Sequence, residues 1–134
     1  MPLFDFSKDP RTRVDSIRKR TLRMILEASK SSYPEEFGAI LRAEKGVISE
    51  LMLLPGTISG ERSALFKLHM LPIDFTVVGT AHSHPSGACY PSGADLDLFR
   101  SFGFVHIITC YPYDGNSWAA FDVLGERKEL KVVD

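Results

Sequence analysis

His82 and His84 are two of the four histidines in this 134-residue sequence, and one residue separates them. In an extended chain alternate side chains share a face, so both rings would point the same way, a spacing that suits one metal ion. Buried histidines satisfied by hydrogen bonds also occur at this spacing, and the pair alone does not separate the two readings. A third donor lies downstream. Pro85, Gly87, Pro91 and Gly93 shape a loop leading to Ser92, and Asp95 follows three positions later, so that the two match a helix-opening capping box. Asp95 would share a helical face with Leu98 and Phe102 and point inward, where an unpaired carboxylate is costly and a cation is wanted. Asp97 is expected instead to be an exposed first-turn acid that complements the helix dipole. Two imidazole nitrogens and one carboxylate oxygen make a three-ligand zinc site that leaves a fourth tetrahedral position for water, as in catalytic zinc. Zinc would lower the pKa of that water towards ~7 and polarise a carbonyl. A carboxylate must still take the proton and return it to the leaving group. The chemistry open to such a set is hydrolysis.

A strand, a loop and a helix have to carry these residues, and the patterning supplies them. Leu22, Ile25, Leu26 and Ser29, flanked by Met24 and Ala28, recur at helical spacing and predict an amphipathic helix over about 18–32, ended by Pro34. Apolar runs at 36–43 and 46–54 flank Lys45-Gly46, a turn signal that predicts a hairpin closed by Pro55-Gly56. A further extended segment is expected within 58–71. Residues 75–83 read as a largely buried strand, as do 104–111 and 118–123, with Asp114-Gly115 turning the chain between the last two. The helical pattern returns over 92–102. Strands interleaved with two helices indicate one mixed α/β or α+β domain over 14–134, preceded by a polar extension at 1–13. His106 alternates with Phe104 and Ile108 on one strand face and is read as structural, as is Trp118; His69 matches no motif.

Composition narrows the function classes. With 44% hydrophobic and 25% charged residues the chain can bury enough surface to offset ordering entropy, which excludes global disorder. Its longest apolar stretches fall far short of the ~18–20 residues of a membrane span. Asp5, Lys8, Asp9 and Pro10 interrupt the start where a secretory signal would need an apolar core, so a cytoplasmic location is expected. A net charge of -1 provides no broad basic surface for nucleic acid. Eight of the sixteen basic residues nevertheless fall at Lys8, Arg11, Arg13, Arg18, Lys19, Arg20, Arg23 and Lys30. They form a solvated helix face or a docking surface for a partner. Two cysteines, Cys89 and Cys110, allow neither a four-cysteine zinc cluster nor a CxxC motif.

The run His82-Ser83-His84-Pro85, with Ser92 eight positions after His84 and then Asp95, resembles the H-x-H-x7-S-x-x-D signature of the JAMM (MPN-plus) zinc metalloproteases. The segment Glu36-Phe37-Gly38-Ala39-Ile40-Leu41 is similar to that family's upstream strand, which opens on a glutamate. The resemblance extends from about Ile17 to Val133. It implies the JAMM/MPN, cytidine-deaminase-like fold, a central mixed β-sheet flanked by helices. It also implies zinc on His82, His84 and Asp95, Glu36 as the general base that activates the zinc-bound water as nucleophile, and Ser92 as a stabiliser of the oxyanion. Glu35 is the neighbour that could be confused with Glu36; strand alternation puts the two on opposite faces, so only one can face the metal.

The activity so implied is that of an isopeptidase, similar to deubiquitinases and archaeal desampylases, acting on ubiquitin-like modifier proteins and their conjugates. A glycine-rich modifier tail could add to a sheet edge beside the metal. Other readings stay open: a processing peptidase for a sulfur-carrier or other small protein, a RadC-like nucleic-acid-associated domain, or a noncatalytic scaffold. The Glu36 segment and the near-neutral charge argue against nucleic acid. Oligomeric state, modifier and target are not legible. Cys89 lies between His84 and Asp95, and Cys110 ends the strand after the second helix; strand-helix-strand returns bring such ends together, making the pair a candidate disulfide. A reducing cytoplasm favours two buried free thiols instead.

Overall fold

The computed structural model describes residues 9–53 and 75–134. The extended segment expected within 58–71, His69 and the first eight residues of the N-terminal extension lie outside the described residues. Among those described, the strands are β1 (Ser16–Arg18), β2 (Gly38–Glu44), β3 (Val47–Leu53), β4 (Val77–His84), β5 (Val105–Cys110), β6 (Trp118–Phe121), β7 (Arg127–Lys128) and β8 (Lys131–Val133). The α-helices are α1 (Lys19–Ser32) and α2 (Gly93–Ser101). The strands form one mixed sheet in the order β7-β6-β5-β4-β2-β3-β1-β8. β1, three residues long, is too short to carry a periodic signal; it joins the sheet by running parallel to both β3 and β8.

The turn expected at Lys45-Gly46 is a two-residue hairpin between β2 and β3, with positive φ at both positions (53° and 81°), the backbone a type I′ turn requires. α1 buries Thr21, Leu22, Ile25, Leu26 and Ser29 against one face of the sheet, in a core shared with Ile17, Phe37, Ala39, Leu41, Ala81 and Ile107. Its basic residues Lys19, Arg20, Arg23 and Lys30, with Arg18 just before it, are exposed. α2 covers the opposite face, where Phe99 packs with Ile108, Ala119 and Phe121. It buries Asp95 and Phe99, four apart, rather than the expected line through Leu98 and Phe102, which are only partly covered; Asp97 is exposed as expected.

β4 and β5 are parallel, with Gly79 opposite Val105 and His84 opposite Cys110. α2 is their crossover, so it starts at the carboxyl end of β4, where the two histidines are. The return into β5 is tight. A Cβ on Gly79 would lie 1.5 Å from the Val105 carbonyl oxygen, and Gly103, at φ +82°, sits against Gly79 itself. Only glycine permits this approach.

His106 is fully buried beneath α2, stacked on Phe99 with ring centroids 4.2 Å apart, and its Nδ1 is 2.7 Å from Thr80 Oγ1. Burial, reinforced by the nearby His82, pushes its pKa down to about 3; the Phe102 and Phe99 carbonyls and Asp95 oppose this more weakly. The unfolded chain therefore binds a proton that the folded chain refuses, and this contribution to stability is whole above pH 6.5 and lost as pH falls from there towards 3. In metal-free protein, His106→Leu is expected to flatten the loss of stability between pH 6 and 4 by about 1.4 kcal/mol per pH unit. Denaturant melts of both proteins across that range check it; equal slopes would refute it.

Candidate metal centre

β4 delivers His82 and His84 to the α2 side of the sheet, and Ser83 between them turns to the α1 side, where it is fully buried. α2 supplies Asp95 from its first turn. Ser92 is the N-cap: its Oγ accepts from the Asp95 N–H at 3.2 Å, while its own N–H donates to Asp95 Oδ2 at 2.8 Å, a closed capping box. This box fixes the carboxylate over the end of β4. His82 Nε2 lies 3.0 Å from Asp95 Oδ1 and His84 Nε2 3.1 Å from Oδ2, and the two Nε2 atoms are 3.2 Å apart. His84 is also held from behind, since its Nδ1–H donates to the Ala88 carbonyl at 2.9 Å, which makes Nε2 the ring nitrogen turned towards Asp95.

Burial alone would push the Asp95 carboxyl up, but the hydrogen bonds from His82 and His84, the His82 charge and the Ser92 N–H outweigh it and hold the group far below the usual carboxylate range. Its hydrogen bond to Asp95 raises the His84 pKa against burial, helped by the Ala88 carbonyl and the Asp95 and Glu36 charges. The site is thus an ionised carboxylate and two imidazoles aimed at one point.

These donors fit zinc. Metal–ligand bonds of about 2.0–2.1 Å in a tetrahedron put neighbouring ligand atoms about 3.3 Å apart. The two Nε2 atoms, 3.2 Å apart, match that edge, and each lies 3.0 or 3.1 Å from one oxygen of the same Asp95 carboxylate. His82, His84 and Asp95 are also a metal-capable group by the closeness of their ligand atoms. Both histidine side chains are 12% exposed, so the point they face is lined by protein and still reachable from solvent.

Burial distinguishes Glu36 from Glu35. β2 runs antiparallel to β4 with Gly38 opposite His82 and Ala39 opposite Ala81; Glu36 stands two residues before Gly38, as His84 stands two after His82. Two hydrogen bonds extend the ladder to that level: Ser83 N–H donates to the Phe37 carbonyl at 2.9 Å, and Phe37 N–H to Ser83 Oγ at 2.7 Å. Phe37 is buried in the α1-side core, Glu36 is half-buried with its charge felt by His84, and Glu35 is exposed. Ser92, exposed at the helix start, completes the group.

Two positioning residues escape the motif reading. Ser83 is one; lying between two same-face histidines on a strand, it had to point the other way and find a buried partner, a signal present in the sequence. The other is Tyr113, whose hydroxyl donates to the His84 carbonyl at 2.9 Å and which the neighbouring Pro112 and Asp114-Gly115 disguise as a turn residue.

Cys89 and Cys110 are joined by a disulfide, with Cα atoms 5.3 Å apart, which ties the loop after His84 to the end of β5. The bond closes a loop of 21 residues. By chain entropy it contributes about 3 kcal/mol. Reduction by a phosphine, which competes for zinc far less than a dithiol, is therefore expected to lower Tm by roughly 10 °C while zinc stays bound. A thermal melt with and without reductant, with metal content measured in parallel, checks this; an unchanged Tm would deny the bond a stabilising role.

Comparison with known proteins agrees with this geometry. Residues 18–121 match the model of the Prok-JAB family, described as prokaryotic homologs of the JAB domain. A probable metalloprotease of Haloferax volcanii is 40% identical over 131 residues, spanning 90% of this chain and 81% of that protein. A crystal structure of a JAB1/MPN domain protein from Archaeoglobus fulgidus superposes with a TM-score of 0.72 at 43% identity, over 90% of this chain and 97% of that one. A second structure, presented as a JAMM metalloprotease-like zinc site in the proteasome and signalosome, gives 0.73 at 44% identity, over 90% and 99% of the two chains. The expected resemblance, the mixed α/β fold and the zinc cofactor are borne out. This chain belongs to the Prok-JAB family and is a JAMM-type zinc metalloprotease.

Proposed function

We propose that the protein is a zinc isopeptidase that cuts the bond between the C-terminal glycine of a ubiquitin-like modifier and a lysine of its target. The observation that supports the chemistry is the His82-His84-Asp95 cluster, with the half-buried Glu36 close enough for its charge to act on His84. Zinc held by those three residues would activate a water and polarise the attacked carbonyl. The Glu36 carboxylate takes the water's proton and passes it to the departing lysine amine. Ser92 donates its hydroxyl hydrogen to the charge developing on the carbonyl oxygen, a donation its N-cap role leaves available because the cap uses only an oxygen lone pair. The modifier as substrate class rests on the resemblance to JAMM enzymes.

Incubation with a ubiquitin-like modifier linked to a lysine side chain, and with the same modifier as a linear fusion, tests the reading, each with and without a chelator. Cleavage of the isopeptide that stops with chelator is expected. Cleavage of the linear fusion alone would favour a processing peptidase. No cleavage, with salt-sensitive binding to nucleic acid, would move the protein to the RadC-like reading.

A further inference from the structure

We infer that Tyr113 is a positioning residue for the zinc site, holding the backbone of the ligand His84 through its hydroxyl. The inference rests on the metal site and not on the choice of substrate.

Tyr113 is a bulky residue in the left-handed region, at φ 63°, and it is 2% exposed. A side chain with a Cβ occupies that region at a cost, and such residues persist where surroundings over-determine them, often at functional sites. Here the surroundings are explicit. Its N–H donates to the Cys110 carbonyl at 2.8 Å, closing the turn that leaves β5. Tyr33 and Tyr111 meet its ring edge-on, with centroids 6.2 and 6.0 Å away and interplanar angles of 67° and 78°. The ring is wedged, and its hydroxyl has one direction to point, to the His84 carbonyl.

That carbonyl belongs to the last residue of β4, where ladder support ends and the loop to Asp95 begins. The segment 110–113 grips this loop at three places. Cys110 is bonded to Cys89, Tyr111 N–H donates to the Ser86 carbonyl at 2.9 Å, and the Tyr113 hydroxyl reaches His84 itself. Of the three, only the last acts on a metal ligand directly. The strained turn brings a rigid donor, 29 residues away in sequence, to the backbone of the ligand His84.

The test compares metal binding in the wild type, Tyr113→Phe and Ser29→Ala. Ser29 is a control of similar kind: a fully buried hydroxyl, hydrogen-bonded to the Ile25 carbonyl and Thr109 Oγ1, that touches neither the loop nor the ligands. Each metal-free protein is titrated with cobalt(II), whose visible bands report ligand geometry, then with zinc in competition, and Tm is recorded. Tyr113→Phe is expected to weaken zinc affinity about 10-fold, as loss of an outer partner of a ligand does, and to shift the cobalt bands. Ser29→Ala should lower Tm comparably and leave affinity and spectrum at wild-type values. Wild-type affinity and spectrum in Tyr113→Phe, or equal weakening in both variants, would overturn the inference by showing a merely structural hydroxyl. Failure of the wild type itself to bind either metal would overturn the metal site, and the role of Tyr113 with it.

Discussion

His84→Ala is expected to release zinc and abolish hydrolysis together. The variant keeps His82 and Asp95, but two ligands cannot define the point that three now share at 3.0–3.2 Å. It also removes the ring that, through the Ala88 carbonyl on one side and Asp95 on the other, pins the loop to α2. The loss in metal affinity should exceed the roughly 10- to 100-fold that follows loss of an outer-shell partner. Elemental analysis of the purified variant, with circular dichroism to verify folding and a cleavage assay beside it, gives the answer. Full activity in a folded, metal-free His84→Ala protein would reject the mechanism. His82→Ala and Asp95→Ala should behave alike, except that the latter also opens the capping box and should lower Tm by more.

Glu36→Gln should split the two properties that His84→Ala loses at once. The amide keeps the size of the side chain but cannot accept the proton, so zinc content is expected to match the wild type while the rate falls roughly 10²- to 10⁴-fold. Glu35→Gln, at an exposed position, should cleave at the wild-type rate. The reverse pattern, with Glu35→Gln inactive and Glu36→Gln active, would show that the register between 36–38 and 82–84 differs from the one described.

The resemblance of the motif, the ligand set and the class of fold were open to reading because each depends on short spacing. His82 and His84 share a face because a strand alternates with period two, and Ser92 and Asp95 meet because a helix start brings residue three back to the cap; neither relation needs the rest of the chain. The hairpin at Lys45-Gly46 is legible for the same reason. The α2 face was misplaced by one position, through Leu98 and Phe102 instead of Phe99, because Leu96, Leu98, Phe99 and Phe102 are all apolar and only the sheet beneath decides which is central.

What tertiary structure alone decided is everything set by pairing across long stretches of chain. That Glu36 is half-buried and Glu35 exposed follows from Phe37 entering the α1-side core just before Gly38 pairs with His82. Cys89 meets Cys110 because β5 lies parallel to β4 at the register that sets Cys110 beside His84. His106 became a buried, proton-refusing group only when α2 stacked Phe99 on it. Tyr113 took its place behind His84 through a turn whose sequence announces a change of direction and not a contact. Local spacing selects the atoms that can do the chemistry; the hydrogen-bond register of the sheet, a cooperative property of distant strands, selects which of their neighbours stand beside them.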